Sequence, residues 1–187
     1  MKPLAAWCKA DYIQKEVTRV EGNANRIHLE DGSTIDYDLL VLNVGSRSRG
    51  SHVVPGIWDH SLATRPINHL LDSIVKKEKW LLDNNITPSV AVCGAGAAGT
   101  ELAFGYKARW SKLFNKDIQV TLISNTSQIL PGSHPSCLEH TMRMLKERGI
   151  NVVYNKRVSE VRADRIVFDD GEFFECNVPV WATGAEA

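Results

Sequence analysis

The sequence predicts an α/β fold built on a parallel sheet, and three observations predict it. First, the apolar run Val90-Ala91-Val92-Cys93 passes at once into Gly94-Ala95-Gly96-Ala97-Ala98-Gly99. Leu102, Ala103, Tyr106, Trp110 and Leu113 come next at helical spacing. Second, further strand-like runs at 118–123 and 150–154 flank a helix-like stretch opened by Pro135. Third, Asp38-Leu39-Leu40-Val41-Leu42-Asn43-Val44 is almost wholly apolar, as expected of a strand buried on both faces of a parallel sheet.

The first elements are β structure. Short strands at 17–20 and 26–29 surround Gly22-Asn23, and Asp31-Gly32 is a hairpin turn. The apolar strand at 38–44 ends at Gly45-Ser46, where a close approach to the backbone is expected. Residues 47–60 are a polar connector. Thr64 caps a helix with Pro66 in its first turn. Ile67, Leu70, Leu71, Ile74 and Leu81 form its inward face, and Lys76, Lys77, Glu78 and Lys79 a solvated one. Asn84-Asn85 ends it. After the glycine-rich unit and the strand at 118–123, Pro131-Gly132 makes a turn. The Pro135 helix turns Leu138, Met142 and Leu145 inward and stops at Gly149.

From Arg157 the pattern becomes strand, turn, strand: 158–162, 165–168, the turn Asp169-Asp170-Gly171, then 172–176. Val178-Pro179-Val180-Trp181 leads into Ala182-Thr183-Gly184-Ala185. The two ends echo each other, each with an Asp-Gly hairpin, an apolar strand and a glycine turn, which suggests two related halves.

The strand–turn–helix unit at 90–110 carries the dinucleotide-binding fingerprint in its required context. Gly94 allows the tight turn out of the strand, Gly96 lets a pyrophosphate approach the backbone, and Gly99 lets helix and strand pack closely. The N–H groups of the helix start, with the positive end of its dipole, hold the phosphates.

Composition narrows the function. Among 187 residues, 22 basic side chains balance 22 acidic ones, so no basic face points to nucleic acid. No run is long enough to span a bilayer, and no signal peptide is visible. Cys8, Cys93, Cys137 and Cys176 lack metal-ligand spacing and read as buried small hydrophobes in a reducing compartment, the cytoplasm or another intracellular one. No metal site, catalytic triad or hydrolase constellation stands out, and no catalytic residue is assigned.

The combination of Tyr37 to Ser46, Gly94-x-Gly96-x-x-Gly99-x-Glu101 and Trp181-Ala182-Thr183-Gly184 resembles the two-dinucleotide-binding-domain flavoproteins. These are the pyridine nucleotide-disulfide oxidoreductase superfamily, with type II NADH dehydrogenases and apoptosis-inducing-factor-like proteins. Asp38-Leu39-Leu40, Asn43-Val44-Gly45-Ser46, Arg65-Pro66-Ile67, Leu130-Pro131-Gly132 and Trp181 to Ala185 look most like the flavoprotein often fused to, or encoded with, selenide water dikinase.

The resemblance implies a Rossmann-like NAD(P)-binding domain (64–177) inserted in a partial FAD-binding domain (1–63), with 178–187 starting the return to it. It implies FAD and NAD(P)H as cofactors, hydride transfer from NAD(P)H to flavin, and an unidentified small-molecule electron acceptor not handled by a redox disulfide of this chain. Residues facing the cofactors are then Gly94, Ala95, Gly96, Ala97, Ala98 and Gly99, with Ser124 and Asn125 at the end of the second strand. Gly45, Ser46, Thr183 and Gly184 face FAD. Glu101 matches a glutamate that in relatives often lies near nicotinamide and flavin; as a first-turn acid it would also be favoured by the helix dipole.

The chain also departs from the family. Nothing before Lys15 matches the N-terminal FAD fingerprint, and Glu186-Ala187 precedes the family's Gly-Asp motif, so a central fragment of a longer protein is expected. Ser124-Asn125 stand where an acid usually binds the ribose of NAD, and no arginine is close behind them, so NADH and NADPH both stay open, with NADH or dual use favoured. A nucleotide-binding module without catalysis, or a non-functional truncated isoform, is the alternative.

Overall fold

The computed structural model describes residues 2–186, which divide into two compact units, Met1–Val44 and Gly45–Ala187.

The first unit opens with a short exposed helix, α1 (Lys2–Trp7). It then forms a three-stranded antiparallel sheet in the order β1 (Val17–Glu21), β2 (Arg26–Leu29), β3 (Thr34–Asp36). The sheet owes its shape to its turns. Asn25, at φ 51°, closes a single 3-10 turn between β1 and β2, and Gly32, at φ 81°, makes the β2–β3 hairpin. Both positions need the left-handed region that Asn and Gly tolerate.

The apolar stretch 38–44, expected as a buried strand, is not one. Among the described residues no strand pairs with it, and Leu39, Val41, Leu42 and Val44 are 63–88% exposed. A strand buried on both faces needs a partner for its backbone and cover on each side. The small sheet of this unit ends instead where Tyr37 N–H donates to the Asn25 carbonyl.

The second unit is a five-stranded parallel sheet with different cover on its two faces. Its strands are β5 (Leu62–Ala63), β6 (Ser89–Cys93), β7 (Gln119–Ile123), β8 (Ile150–Val153) and β12 (Val178–Trp181), in the order β5-β12-β6-β7-β8. Successive side chains point to opposite faces. Val90, Val92, Val120, Leu122, Val178 and Val180 pack with Leu70 and Leu81 of α3 (Ile67–Asp83), with Ala103, Tyr106 and Trp110 of α4 (Ala97–Phe114), and with Leu145 of α5 (Pro135–Glu147). Ala91, Cys93, Ile123 and Trp181 pack the other way. They meet Ile57 of the short helix α2 (Ile57–His60) and Val161, Ile166 and Phe168 of an antiparallel meander. The meander is β9 (Val158–Val161), β10 (Arg165–Phe168) and β11 (Phe173–Glu175). Cover on both faces explains why β6, β7 and β12 read as nearly unbroken apolar runs.

A division at 63/64 and 177/178 cuts across this sheet. Leu62–Ala63 and Val178–Trp181 are strands of the ladder that contains the fingerprint strand, with Val180 paired to Leu62 and to Val92. The connector at 47–60 also carries structure, a two-residue strand β4 (Arg47–Ser48) besides α2.

Several expected faces differ in detail. α3 begins at Ile67 with Pro66 at its N-cap, while the Thr64 hydroxyl bonds Ser48 Oγ at 3.1 Å instead. Ile67 and Leu71 are 66% and 60% exposed; only Leu70, Ile74 and Leu81 of the expected face turn inward. Met142 and Leu113 lie on the outer edges of their helices, at 37% and 41% exposure. Cys93 and Cys176 are buried, but Cys8 and Cys137 are exposed. Burial pushes the Cys176 thiol up to about 12.

The charge run in α3 holds one buried member. Glu78 accepts from Arg109 Nε and Nη2 at 2.7 and 2.8 Å and from Trp110 Nε1 at 2.6 Å. This joins α3 to α4 through a carboxylate that satisfies a buried indole. The Arg109 guanidinium holds the Glu78 carboxyl below its ordinary range.

Candidate functional site

The register of the parallel sheet brings the carboxyl ends of all five strands into one row. Ala63 lies opposite Trp181, Trp181 opposite Cys93, Cys93 opposite Ile123, and Ile123 opposite Val153. The loops leaving these strands therefore emerge along one edge. The order runs from β6 to β7 and β8 on one side and to β12 and β5 on the other. The turn after β6 thus lies at the switch point, where open α/β sheets bind ligands.

The fingerprint occupies that turn and is tied into it by main-chain bonds. Gly94 N–H donates to the Ile123 carbonyl at 2.9 Å, and the Ala95 carbonyl accepts from Leu130 N–H at 2.8 Å. Thr100 N–H donates to the Gly96 carbonyl at 3.0 Å, which starts α4. Ala95 is buried, while Ala97 and Ala98 lie exposed at the helix start.

The three glycines are required for different reasons. Gly94 sits at φ 114°, and a Cβ there would lie 2.6 Å from the Ala182 carbonyl oxygen. A Cβ on Gly99 would lie 1.8 Å from the Gly94 carbonyl oxygen. Those two are glycine because strand, helix and the exit of β12 pack without room for more. Gly96 has an ordinary extended backbone, φ −77° and ψ −175°, and a Cβ there meets no atom within 4 Å. Among the described residues nothing demands glycine at 96. Its lack of a side chain leaves open space beside the first N–H groups of α4, which no side chain caps. That space suits a group that must touch the backbone, and the uncapped N–H groups with the helix dipole suit an anion.

At the end of β7 the structure separates two expected partners. Ser124 is buried, and its hydroxyl donates within its own loop, to Thr126 Oγ1 or the Gln128 carbonyl, while accepting from Thr126 N–H. It shapes the loop, and Asn125 is exposed beside it. Glu101 is exposed and is the fifth residue of α4, so it is not a first-turn acid.

The other expected residues come together in one ribbon. β4 pairs antiparallel with β13 (Ala185–Glu186). Arg49 N–H donates to the Gly184 carbonyl at 2.7 Å, and the Arg49 carbonyl accepts from Thr183 Oγ1 at 2.6 Å and Trp181 Nε1 at 2.9 Å. The segments carrying Gly45-Ser46 and Thr183-Gly184, read in the sequence as echoes of each other, are thus neighbours at the sheet's edge. A Cβ on Gly45 or Gly184 would meet nothing within 4 Å, so both turns border open space.

Sequence reasoning missed Ala182, Leu130 and Arg49 as parts of the site. Each acts through its main chain, which side-chain patterns do not reveal. Among the described residues no group of three metal-ligating side chains occurs, and no helix is long and apolar enough to cross a membrane.

Residues 9–187 match the model of the pyridine nucleotide-disulphide oxidoreductase family. The type II NADH:quinone oxidoreductase of Haemophilus influenzae is 26% identical over 187 residues, covering 82% of this chain and 40% of that protein. Among solved structures, NDH2 from Plasmodium falciparum in complex with NADH superposes with a TM-score of 0.74 at 20% identity, over 94% of this chain and 41% of that one. The ferredoxin reductase for the CYP199A2 system from Rhodopseudomonas palustris gives a TM-score of 0.73 at 21% identity, over 99% of this chain and 44% of that one. The chain therefore spans less than half the length of these relatives, and the two structures share its fold.

Proposed function

The chain belongs to the pyridine nucleotide-disulphide oxidoreductase family, and on that premise we propose that it is the nucleotide-holding part of an FAD-dependent NAD(P)H oxidoreductase. One observation carries the reading: Gly94 and Gly99 are glycine for the protein's own packing, whereas no atom of the described residues requires glycine at 96. A dinucleotide pyrophosphate suits the open space there in position and charge.

When bound, the nicotinamide and flavin cofactors would supply the hydride and electron-transfer chemistry. The chain's own residues bind and orient. The N–H groups of Ala97, Ala98 and Gly99 would hold the pyrophosphate, with Gly96 letting it approach. Asn125, exposed at the end of β7, would meet the adenosine ribose. On the other side of the switch point, Gly45, Ser46, Thr183 and Gly184 would border FAD, with the Thr183-Gly184 segment held by its bonds to Arg49. Glu101 stands on the exposed side of α4, near the fingerprint turn.

The Haemophilus influenzae relative, a type II NADH:quinone oxidoreductase, supports oxidation of a reduced nicotinamide nucleotide. FAD rests on the family resemblance. The acceptor has no residue assigned to it, and a tie to selenide water dikinase rests on the shared motifs alone.

The test is the visible spectrum of the purified chain after incubation with FAD and desalting, and then after addition of NADPH or NADH. A retained flavin band that bleaches with either nucleotide supports the reading. A folded chain that binds NAD(P)H but retains no flavin would make it a nucleotide-binding module without catalysis of its own.

A further inference from the structure

Beside the fingerprint, the loops after β7 and β8 are tied together. Ser124 N–H donates to the Val153 carbonyl at 2.8 Å, Lys156 N–H to the Ser124 carbonyl at 2.9 Å, and Asn155 N–H to the Thr126 carbonyl at 3.1 Å. The chain leaving β8 therefore crosses the carboxyl end of β7. That is where a dinucleotide fold meets the adenosine ribose, about 20 residues beyond the fingerprint.

The loop leaving β7 carries no acid of its own; the carboxylates beside the crossing loop are those of Asp170 and Glu172, both paired with Lys156. From Ile118 to Leu138 the sequence holds no Asp and no Glu. No carboxylate in that stretch accepts from a ribose 2′-hydroxyl, and none is there to repel a 2′-phosphate. The crossing loop instead brings two cations, Lys156 and Arg157. The Lys156 ammonium is already engaged, with Asp170 and, at 2.9 Å, with Glu172. Arg157 is exposed and takes part in no ion pair among the described residues. Asp169 donates its N–H to the Arg157 carbonyl at 3.0 Å, but no salt bridge joins their side chains. Asn125 and Ser127, both exposed, add uncharged hydrogen-bonding groups to the same rim.

We propose that this rim selects a 2′-phosphorylated dinucleotide, NADPH over NADH, with Arg157 supplying the counter-charge. The inference rests on the dinucleotide reading of the turn at Gly94, Gly96 and Gly99 and adds the identity of the nucleotide to it. A guanidinium gives phosphate oxygens two parallel charge-assisted bonds and finds no such anion in a 2′-hydroxyl. Discrimination has two parts, the attraction of Arg157 and the absence, at the end of β7, of the ribose-binding carboxylate that would reject the phosphate. It also explains how a site lacking the usual acid still has a recognition element, supplied from the third strand's loop rather than the second's.

The experiment is calorimetric titration of the wild-type chain and of Arg157→Ala with NADPH and, separately, with NADH. The wild type is expected to bind NADPH about tenfold more tightly than NADH. Arg157→Ala is expected to weaken NADPH by about tenfold and to leave NADH within about twofold of its wild-type affinity. Arg157 is exposed, so the variant keeps the fold, which circular dichroism checks. Equal or tighter binding of NADH by the wild type overturns the inference, and so does a variant that weakens both nucleotides alike. A folded wild-type chain that binds neither nucleotide overturns the dinucleotide reading itself, whereas binding of both without preference overturns the inference and leaves that reading standing.

Discussion

The carbonyl oxygen of Gly94 lies where the side chain of Gly99 would begin: a Cβ on Gly99 would sit 1.8 Å from it. The two glycines thus close the turn between β6 and α4 on each other. No rotamer can relieve such a contact, because the obstructing atom is backbone. Gly99→Ala is therefore expected to destabilise the fold by roughly 1–3 kcal/mol or more, the cost of overpacking a site that cannot yield. Thermal unfolding of the variant reads this directly, and an unchanged midpoint would show that the turn is looser than the geometry says.

Glu78 differs from the charged residues around it, and the difference is measurable. The exposed Lys79–Asp83 pair is expected to contribute under about 1 kcal/mol. Glu78→Ala leaves the buried Trp110 indole N–H without its acceptor, which costs about 1–3 kcal/mol. Urea denaturation of Glu78→Ala and Asp83→Ala side by side should show the first much less stable and the second barely changed. Equal losses would contradict this assignment.

Glu78 also sets a pH dependence. Its folded pKa is held below the unfolded value, chiefly by Arg109. The stability it contributes is therefore complete above the ordinary carboxylate range and is lost as pH falls through that range toward the lowered folded pKa. Glu78→Gln should flatten part of the acid limb of a stability–pH curve. A limb unchanged by the substitution would place that dependence on other groups.

Tyr106 makes the opposite case. Its hydroxyl is buried and, among the described residues, has no hydrogen-bond partner. Removing it costs no bond and spares a desolvated group, so Tyr106→Phe should match or exceed the wild type, by up to about 1 kcal/mol. A clear loss of stability would mean that the hydroxyl has an acceptor after all.

The thiols divide by burial. In the native state Cys8 and Cys137 should react readily with an aromatic disulfide reagent, while Cys93 and Cys176 should react only on unfolding. Four fast thiols in the native protein would contradict the packing of β6 against the meander.

The parts of this molecule legible in the sequence are those whose cause is local. The fingerprint turn could be read because backbone sterics alone require Gly94 and Gly99. β6 and β7 could be read because a strand covered on both faces has no polar side to interrupt it. The same rule misled at 38–44, where apolar composition implied burial but burial needs a partner strand, and the described residues supply none. Glu78 was hidden in a run of lysines because its partner Arg109 lies 31 residues away on another helix. The clamp on Thr183 and Trp181 was illegible for a further reason: its acceptor is the main-chain carbonyl of Arg49, and a carbonyl leaves no mark on residue type.

The central claim, that the open space at Gly96 holds a dinucleotide pyrophosphate, is tested most directly by titrating the wild-type chain and Gly96→Val with NADPH and NADH. The account predicts binding by the wild type and at least about a tenfold loss for Gly96→Val, with thermal unfolding nearly unchanged because no atom of the described residues lies within 4 Å of the new Cβ. A folded Gly96→Val variant that binds both nucleotides as well as the wild type would contradict it.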